Sequence, residues 1–139
     1  MGDRDFSVVM SPTLECNAAC DYCFQAHEPK RADAGLMRQV FSRLRDYSVA
    51  RGLRSLRIYW QGGEVLTLPP VLLEELLQTE HSFFEGSGVE LEDHLQTNLV
   101  AYSPAYRDLV ASYFRGEISS SIDYPNLYRR RPGRTPEEF

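Results

Sequence analysis

This sequence lacks long apolar runs, and it lacks an excess of basic over acidic residues, with 15 Lys and Arg against 20 Asp and Glu. No apolar stretch approaches the roughly 20 residues that a helix needs to span a bilayer. The opening residues, Met1 to Asp5, lack the apolar segment of a secretion signal. The formal net charge is −5 at pH 7, so the chain also lacks the positive charge typical of nucleic-acid-binding surfaces. We therefore expect neither a membrane partner nor a nucleic-acid partner.

Cysteine is scarce and is confined to one short stretch. The three cysteines are Cys16, Cys20 and Cys23, and none follows Cys23. An odd number of cysteines cannot all pair as disulfides within one chain. Clustered thiols without a secretion signal favour a metal site in a reducing compartment, so we expect the protein to be cytoplasmic.

The cysteines have the spacing C-x3-C-x2-C, on a predicted loop that follows the apolar run Phe6–Met10. Four-iron clusters normally take four thiolates, so three would leave one iron open to a substrate or cofactor. Zinc is the alternative, because His27 extends the pattern to four candidate ligands. Zinc sites usually show two ligand pairs separated by a longer loop, which is missing here. The spacing favours the cluster but leaves both interpretations open.

The remainder of the chain alternates between predicted strands and helices. Apolar alternation predicts four strands, at residues 6–10, 53–60, 89–97 and 117–122. Helical periodicity with Pro and Gly at the ends predicts three helices, at residues 35–50, 70–84 and 104–115. Strands joined by crossover helices form parallel sheets, and such sheets curl toward barrels. We therefore predict an α/β fold, a partial (β/α) barrel of about four parallel strands.

Polar motifs follow each of these strands. Besides the cysteines, they are Gly62-Gly63-Glu64, Gln96-Thr97-Asn98 and Ser121-Ile122-Asp123. In (β/α) barrels the carboxyl ends of the strands carry the active site. The sequence thus predicts one site where four loops meet.

These four motifs, with Tyr22 just before the last cysteine, resemble the radical S-adenosylmethionine (radical SAM) family. Within it they resemble the sulfatase-maturase-like, peptide-modifying subset. The resemblance implies that Cys16, Cys20 and Cys23 hold a 4Fe–4S cluster whose fourth iron binds SAM. It further implies reductive cleavage of SAM to a 5′-deoxyadenosyl radical, which abstracts hydrogen from a peptide or protein.

The resemblance also implies roles for the other motif residues. Gly62, Gly63 and Glu64 would meet the amino group of SAM, and Tyr22 would pack near its adenine. The remaining polar residues would reach its carboxylate and ribose; they are Gln96, Asn98, Ser121 and Asp123. An electron donor such as flavodoxin or ferredoxin is expected as a partner. Val65 and Tyr124 replace residues common in the family, which leaves the substrate class open.

At 139 residues the chain is shorter than a closed barrel, which needs roughly 200 residues or more. We expect residues 1–139 to be the N-terminal part of a radical SAM barrel domain, without the C-terminal half barrel or an auxiliary-cluster domain. The alternative is a truncated, non-catalytic iron–sulfur or zinc-binding module. We assign no catalytic role to His27, His81 or His94, and we interpret Arg129–Arg131 as a solvated loop.

Overall fold

A three-stranded parallel sheet forms the centre of the computed structural model, which describes residues 4–139. The strands are β1 (Asp5–Met10), β2 (Ser55–Trp60) and β3 (Glu90–Leu95), in the spatial order β1-β2-β3. Their register aligns Met10 with Trp60 and Trp60 with Leu95, so all three strands end at the same level. Residues 1–3, which belong to the acidic opening of the sequence, lie outside the described residues.

Three α-helices connect and follow the strands: α1 (Ala34–Ala50), α2 (Pro70–Phe84) and α3 (Arg107–Tyr113). Short 3-10 turns cover Val65–Thr67, Pro104–Tyr106 and Pro136–Glu138. Asp33 caps the N-terminus of α1, because its carboxylate accepts the backbone N–H of Leu36 at 2.8 Å. Gly52 follows α1 with a φ of 61°, a conformation that glycine adopts without strain.

Alternation along the strands separates two faces of the sheet. Leu56, Ile58 and Trp60 point to one face, where they are buried in a single core with side chains of all three helices. Val9 and Tyr59 point to the opposite face and are exposed. The helices therefore cover one face of the sheet, and the loop after β2 adds Val65, Leu66 and Leu68 to the same core.

The predicted fourth strand is not formed. At residues 117–122 the backbone pairs with β3 through one parallel bridge, in which Ser119 N–H donates to Leu95 O at 2.8 Å and Thr97 N–H donates to Ser119 O at 3.0 Å. Ser119, Ser120 and Ser121 supply no apolar side chain to either face, and Ile122 is 89% exposed. The α/β class with a parallel sheet is confirmed, with three strands rather than four.

The predicted third helix is shorter than expected and begins differently. Residues 104–106 form a 3-10 turn, α3 starts only at Arg107, and Ser103 makes no side-chain cap. The Tyr106 hydroxyl holds this turn in place, since it lies 3.1 Å from Leu66 O and 2.9 Å from Leu68 O. None of the helices in residues 4–139 combines the length and the apolar character needed to cross a membrane.

Candidate functional site

The cysteine loop, residues 11–31, crosses the carboxyl end of β2 and is bonded to it. Gly63 N–H donates to Thr13 O at 3.0 Å, and Glu64 N–H donates to Glu15 O at 2.7 Å. An antiparallel bridge between Thr13 and Arg31 closes the base of the loop. These contacts bring the first cysteine, Cys16, next to the Gly-Gly-Glu motif.

The two glycines of this motif are required by the close approach of the cysteine loop. A Cβ at Gly63 would lie 2.2 Å from Glu15 O and 2.6 Å from Leu14 O. At Gly62 it would lie 2.5 Å from Thr13 O, and the φ of 127° there is one that other residues rarely adopt. The sequence motif therefore has a structural function that spacing alone did not indicate: it seats the cysteine loop on the sheet.

The three cysteines are free, with Cys16 and Cys20 half-buried and Cys23 exposed. Burial raises the pKa of the Cys16 thiol, and the nearby Glu64 carboxylate raises it further. The Ala18 N–H, which donates to the Cys16 sulfur at 3.4 Å, acts in the opposite direction and lowers the pKa. His27 Nε2 lies 3.3 Å from Cys23 Sγ. The donor set is thus three thiols on one loop, with one imidazole beside the outermost thiol.

The spacing of these donor atoms bears on which metal they suit. Four ligands at the Zn–S distance of about 2.3 Å lie about 3.8 Å from one another in a tetrahedron. Among residues 4–139, the cysteines and His27 do not form a group of three ligand atoms that lie mutually within 4.8 Å. In this structure the four donors are therefore not drawn together as they would be around one tetrahedral ion, although Cys23 Sγ and His27 Nε2 are in contact at 3.3 Å.

Glu64 is buried, at 4% exposure, and its carboxylate is fully engaged by the protein. One oxygen accepts the Leu66 N–H at 3.0 Å and the Thr97 hydroxyl at 2.5 Å. The other accepts the Asn98 N–H at 2.7 Å. Glu64 therefore ties the end of β2 to the loop after β3 and leaves its negative charge next to the cysteine loop.

Polar side chains from the loops after β3 complete the wall of the site. Gln96 Nε2 donates to Ser121 Oγ at 3.3 Å, and Asn98 Nδ2 donates to Asn17 Oδ1 at 2.8 Å. Asn98 thereby links the β3 end to the cysteine loop. Thr97, which the prediction did not select from this motif, is buried and holds Glu64.

Tyr22, Asp123 and Arg129 form one hydrogen-bonded group at the mouth of the site. The Tyr22 hydroxyl donates to Asp123 Oδ2 at 2.9 Å, and Arg129 Nε donates to the same oxygen at 2.8 Å. These two donors lower the pKa of Asp123. Partial removal from solvent and the bond to Asp123 raise the pKa of Tyr22 to about 12. The Arg129 guanidinium also lies 5.8 Å from the centre of the Tyr22 ring.

One cavity of about 190 Å³ brings most of the predicted site residues together. Its walls include ten of the eleven predicted residues, all except Asp123. Asp123 lies behind Tyr22 and Arg129 and borders a neighbouring cavity instead. The walls contain Cys16, Cys20, Tyr22, Cys23, Gly62, Gly63, Glu64, Gln96, Asn98 and Ser121.

Five further residues line this cavity: His27, which the sequence offered only as a zinc ligand, and Ala18, Gln61, Thr97 and Arg129. Arg129 is the main omission, because its side chain is only 15% exposed although the sequence suggested a solvated loop there. The only sequence feature that could have indicated its place at the site is its position six residues after Asp123, with which it forms an ion pair. Burial of Arg129 depends on the path of residues 119–131 back over the cysteine loop.

The sequence comparisons find no match. No family model matches the chain, and no curated protein sequence does.

Solved structures do match the fold. A structure of hexahistidine-tagged anSMEcpe with bound AdoMet gives a TM-score of 0.71 with 19% identity, over 91% of this chain and 35% of that chain. Native anSMEcpe with bound AdoMet and the Kp18Cys peptide gives a TM-score of 0.70 with 19% identity. The corresponding structure with the Cp18Cys peptide gives a TM-score of 0.69 with 17% identity. Both matches cover 91% of this chain and 35% of the matched chain. The chain thus spans about a third of the length of the structures it matches.

The chain therefore shares its fold with about a third of anSMEcpe, a radical SAM enzyme, as the resemblance seen in the sequence implied. The enzyme in the matching structures is anSMEcpe, an anaerobic sulfatase maturase.

Proposed function

We propose that this chain is a radical SAM enzyme that binds a 4Fe–4S cluster through Cys16, Cys20 and Cys23. The observation that carries the proposal is the single cavity whose walls combine three thiols, a Gly-Gly-Glu turn and the polar ends of β3. A three-thiolate donor set suits a cluster with one iron left open to an exchangeable ligand. The bound AdoMet in structures of the same fold supports SAM as that ligand.

The cavity residues would bind SAM by ordinary polar contacts. The turn at Gly62 and Gly63, beside the buried Glu64 charge, suits the methionine ammonium. Gln96, Asn98, Ser121 and the guanidinium of Arg129 offer donors for the carboxylate and the ribose, and Tyr22 offers a ring face for adenine. Asp123 would act through Tyr22 and Arg129, whose side chains it fixes.

When bound, the cluster would supply one electron to SAM, and reductive cleavage would give a 5′-deoxyadenosyl radical for hydrogen abstraction. The protein's part is to hold the three thiolates and to position SAM. The peptides bound to anSMEcpe support a peptide or protein as the substrate of this chain also. An electron donor of the flavodoxin or ferredoxin type and a cytoplasmic setting complete the proposal.

Anaerobic reconstitution with iron and sulfide tests the cluster. We expect about four irons per chain with broad visible absorption, and loss of both in Cys20→Ala, because two thiolates do not retain the cluster. His27→Ala is the matched control: it should keep about four irons. Stoichiometric zinc without iron uptake, lost in His27→Ala, would replace the proposal with the zinc-binding module.

Incubation of the reconstituted protein with SAM and a strong reductant tests the enzymatic part. Continued release of 5′-deoxyadenosine is the expected result. A stable cluster without SAM binding and without 5′-deoxyadenosine release would identify the chain as a non-catalytic iron–sulfur module.

A further inference from the structure

A second group of ionisable side chains lies inside the core, separate from the cysteine cavity. Asp93 is in the middle of β3 and points toward the helices, where Glu80 and His81 of α2 meet it. One ligand atom from each of these three residues lies within 4.8 Å of the other two. Among residues 4–139, no other three His, Cys, Asp or Glu side chains come together so closely.

Within this group Asp93 has partners in the protein, whereas Glu80 has none. Asp93 accepts from the indole N–H of Trp60 at 2.8 Å and contacts His81 Nε2 at 2.7 Å. Glu80 is fully buried, and neither of its carboxylate oxygens has a hydrogen-bond donor. A buried, charged carboxylate without a partner is strongly unfavourable, so a proton or a cation must compensate it. Burial and the neighbouring Asp93 charge accordingly raise the pKa of Glu80 well above its usual value.

We propose that Glu80, His81 and Asp93 form a binding site for one divalent metal ion. Two carboxylates and one imidazole are a donor set for Mn²⁺, Fe²⁺ or Zn²⁺, and two negative charges neutralise the ion. The Trp60 N–H would orient the Asp93 carboxylate, as outer hydrogen bonds do in metal sites.

His81 connects this group to the surface. Its side chain is 43% exposed and borders a cleft of about 620 Å³ between α2, β3 and α3, which Glu80 and Asp93 themselves do not line. In the proposed site the ion would enter past the imidazole. A proton on Glu80 would satisfy one of its oxygens by donation to Asp93, but it would leave the second oxygen unpartnered. A metal ion accounts for both carboxylates and for the imidazole.

Mn²⁺ is the suitable probe, because it is a hard ion that binds carboxylate and imidazole and does not favour the thiolates of the cysteine loop. The full chain, freed of metal by a chelator, is titrated with Mn²⁺ while the EPR signal of the free ion is followed. We expect saturation at one ion per chain. Trp60 is the only tryptophan, so its single indole N–H signal in the NMR spectrum should be broadened away as the site fills.

Matched variants connect the binding to this site. Glu80→Gln and His81→Ala should each weaken Mn²⁺ binding about tenfold or more. Glu74→Gln removes the same charge from the exposed side of α2 and should leave the affinity unchanged. His81→Ala alters a partly exposed side chain, so it remains informative if Glu80→Gln fails to fold.

Two results would overturn the proposal. The first is no saturable binding with an unchanged indole signal, which would mean that a proton alone compensates Glu80. The second is equal affinity in Glu80→Gln, His81→Ala and Glu74→Gln, which would mean that Mn²⁺ binds elsewhere on the acidic surface.

Discussion

Gly63 lies where the cysteine loop crosses the end of β2, and its missing side chain is what allows the crossing. In Gly63→Ala the new methyl group would meet the backbone oxygens of Leu14 and Glu15, which cannot rotate away. We expect a loss of about 2 kcal/mol in the free energy of unfolding, measured in urea, and reduced iron uptake.

Gly86→Ala is the control for this substitution. Gly86 has a φ of 70° but open space around its Cβ position. Alanine there should cost about 1 kcal/mol through backbone strain and leave iron uptake unchanged. Equal iron uptake in both variants would show that the loop does not depend on the contact at Gly63.

The hydrogen bond between the Thr97 hydroxyl and the Glu64 carboxylate leads to a second prediction at the residue scale. Glu64→Gln places an amide where three donors converge and should cost about 2 kcal/mol, whereas Thr97→Val removes one of these donors and should cost about 1 kcal/mol. The double variant should fall short of the sum by about 1 kcal/mol, because the two residues contact each other. Urea unfolding of the four proteins measures this coupling, and additive costs would contradict it.

At the residue scale the sequence predicted which side chains meet but not how they meet. Parallel strands end at the same edge, so the gathering of Cys16, Glu64 and Asn98 in one cavity follows from their positions at strand ends. The pairing of each Glu64 oxygen with its donors depends on the paths of the loops, and no local sequence pattern predicts those paths. The same reason explains why Arg129 was missed.

Among the elements, the C-terminal segment of residues 126–131 covers the cysteine loop. Ala19 N–H donates to Arg130 O at 2.7 Å, and Asp21 N–H donates to Tyr128 O at 3.0 Å. Asn126 holds this segment in shape: its amide donates to Arg129 O and Pro136 O and accepts from Arg129 N–H.

Asn126→Ala should therefore loosen the segment. Hydrogen exchange at the amides of Ala19 and Asp21 should become about tenfold faster, because their acceptors lose their fixed positions. The Leu14 amide, which donates to Lys30 O, should exchange as before. Leu127→Ala changes the exposed neighbouring residue and serves as the control. Unchanged exchange at Ala19 and Asp21 would mean that the segment is held by other contacts.

Strand β2 and helix α1 were predictable because each has a regular apolar pattern that burial enforces. The fourth strand was predicted from Glu117 to Ile122, where the serine run has no face to bury. The start of the third helix was misplaced because Tyr106 takes its position from a tertiary contact with Leu66 and Leu68. Local sequence patterns predicted the elements whose apolar faces are buried in the core. They failed where single long-range hydrogen bonds determine the position of a segment.

For the whole molecule, the core depends on aromatic packing between α1 and the sheet. The Phe41 ring is fully buried, with centroid distances of 6.3 Å to Trp60 and 6.5 Å to Phe83. Phe41→Ala should lower the free energy of unfolding by about 3–5 kcal/mol, because it leaves a cavity at this junction. Urea unfolding followed by Trp60 fluorescence measures the change.

Val49→Ala provides the comparison, since Val49 is an exposed residue near the end of the same helix. Its cost should be about 0.5 kcal/mol or less. A Phe41→Ala cost as small as that of Val49→Ala would show that α1 is not part of a common core.

The position of the cavity beyond the strand ends has a consequence for mutational tolerance. Gln61, Gln96 and Ser121 line the cavity but belong to no part of the apolar core. Side-chain substitutions at these three positions should therefore change the chemistry of the cavity wall at little cost in the free energy of unfolding. Gly62, Gly63 and Glu64 should not tolerate substitution in this way, because they attach the cysteine loop to the sheet. The molecule thus separates the positions where selection can change chemistry from those where change disrupts folding.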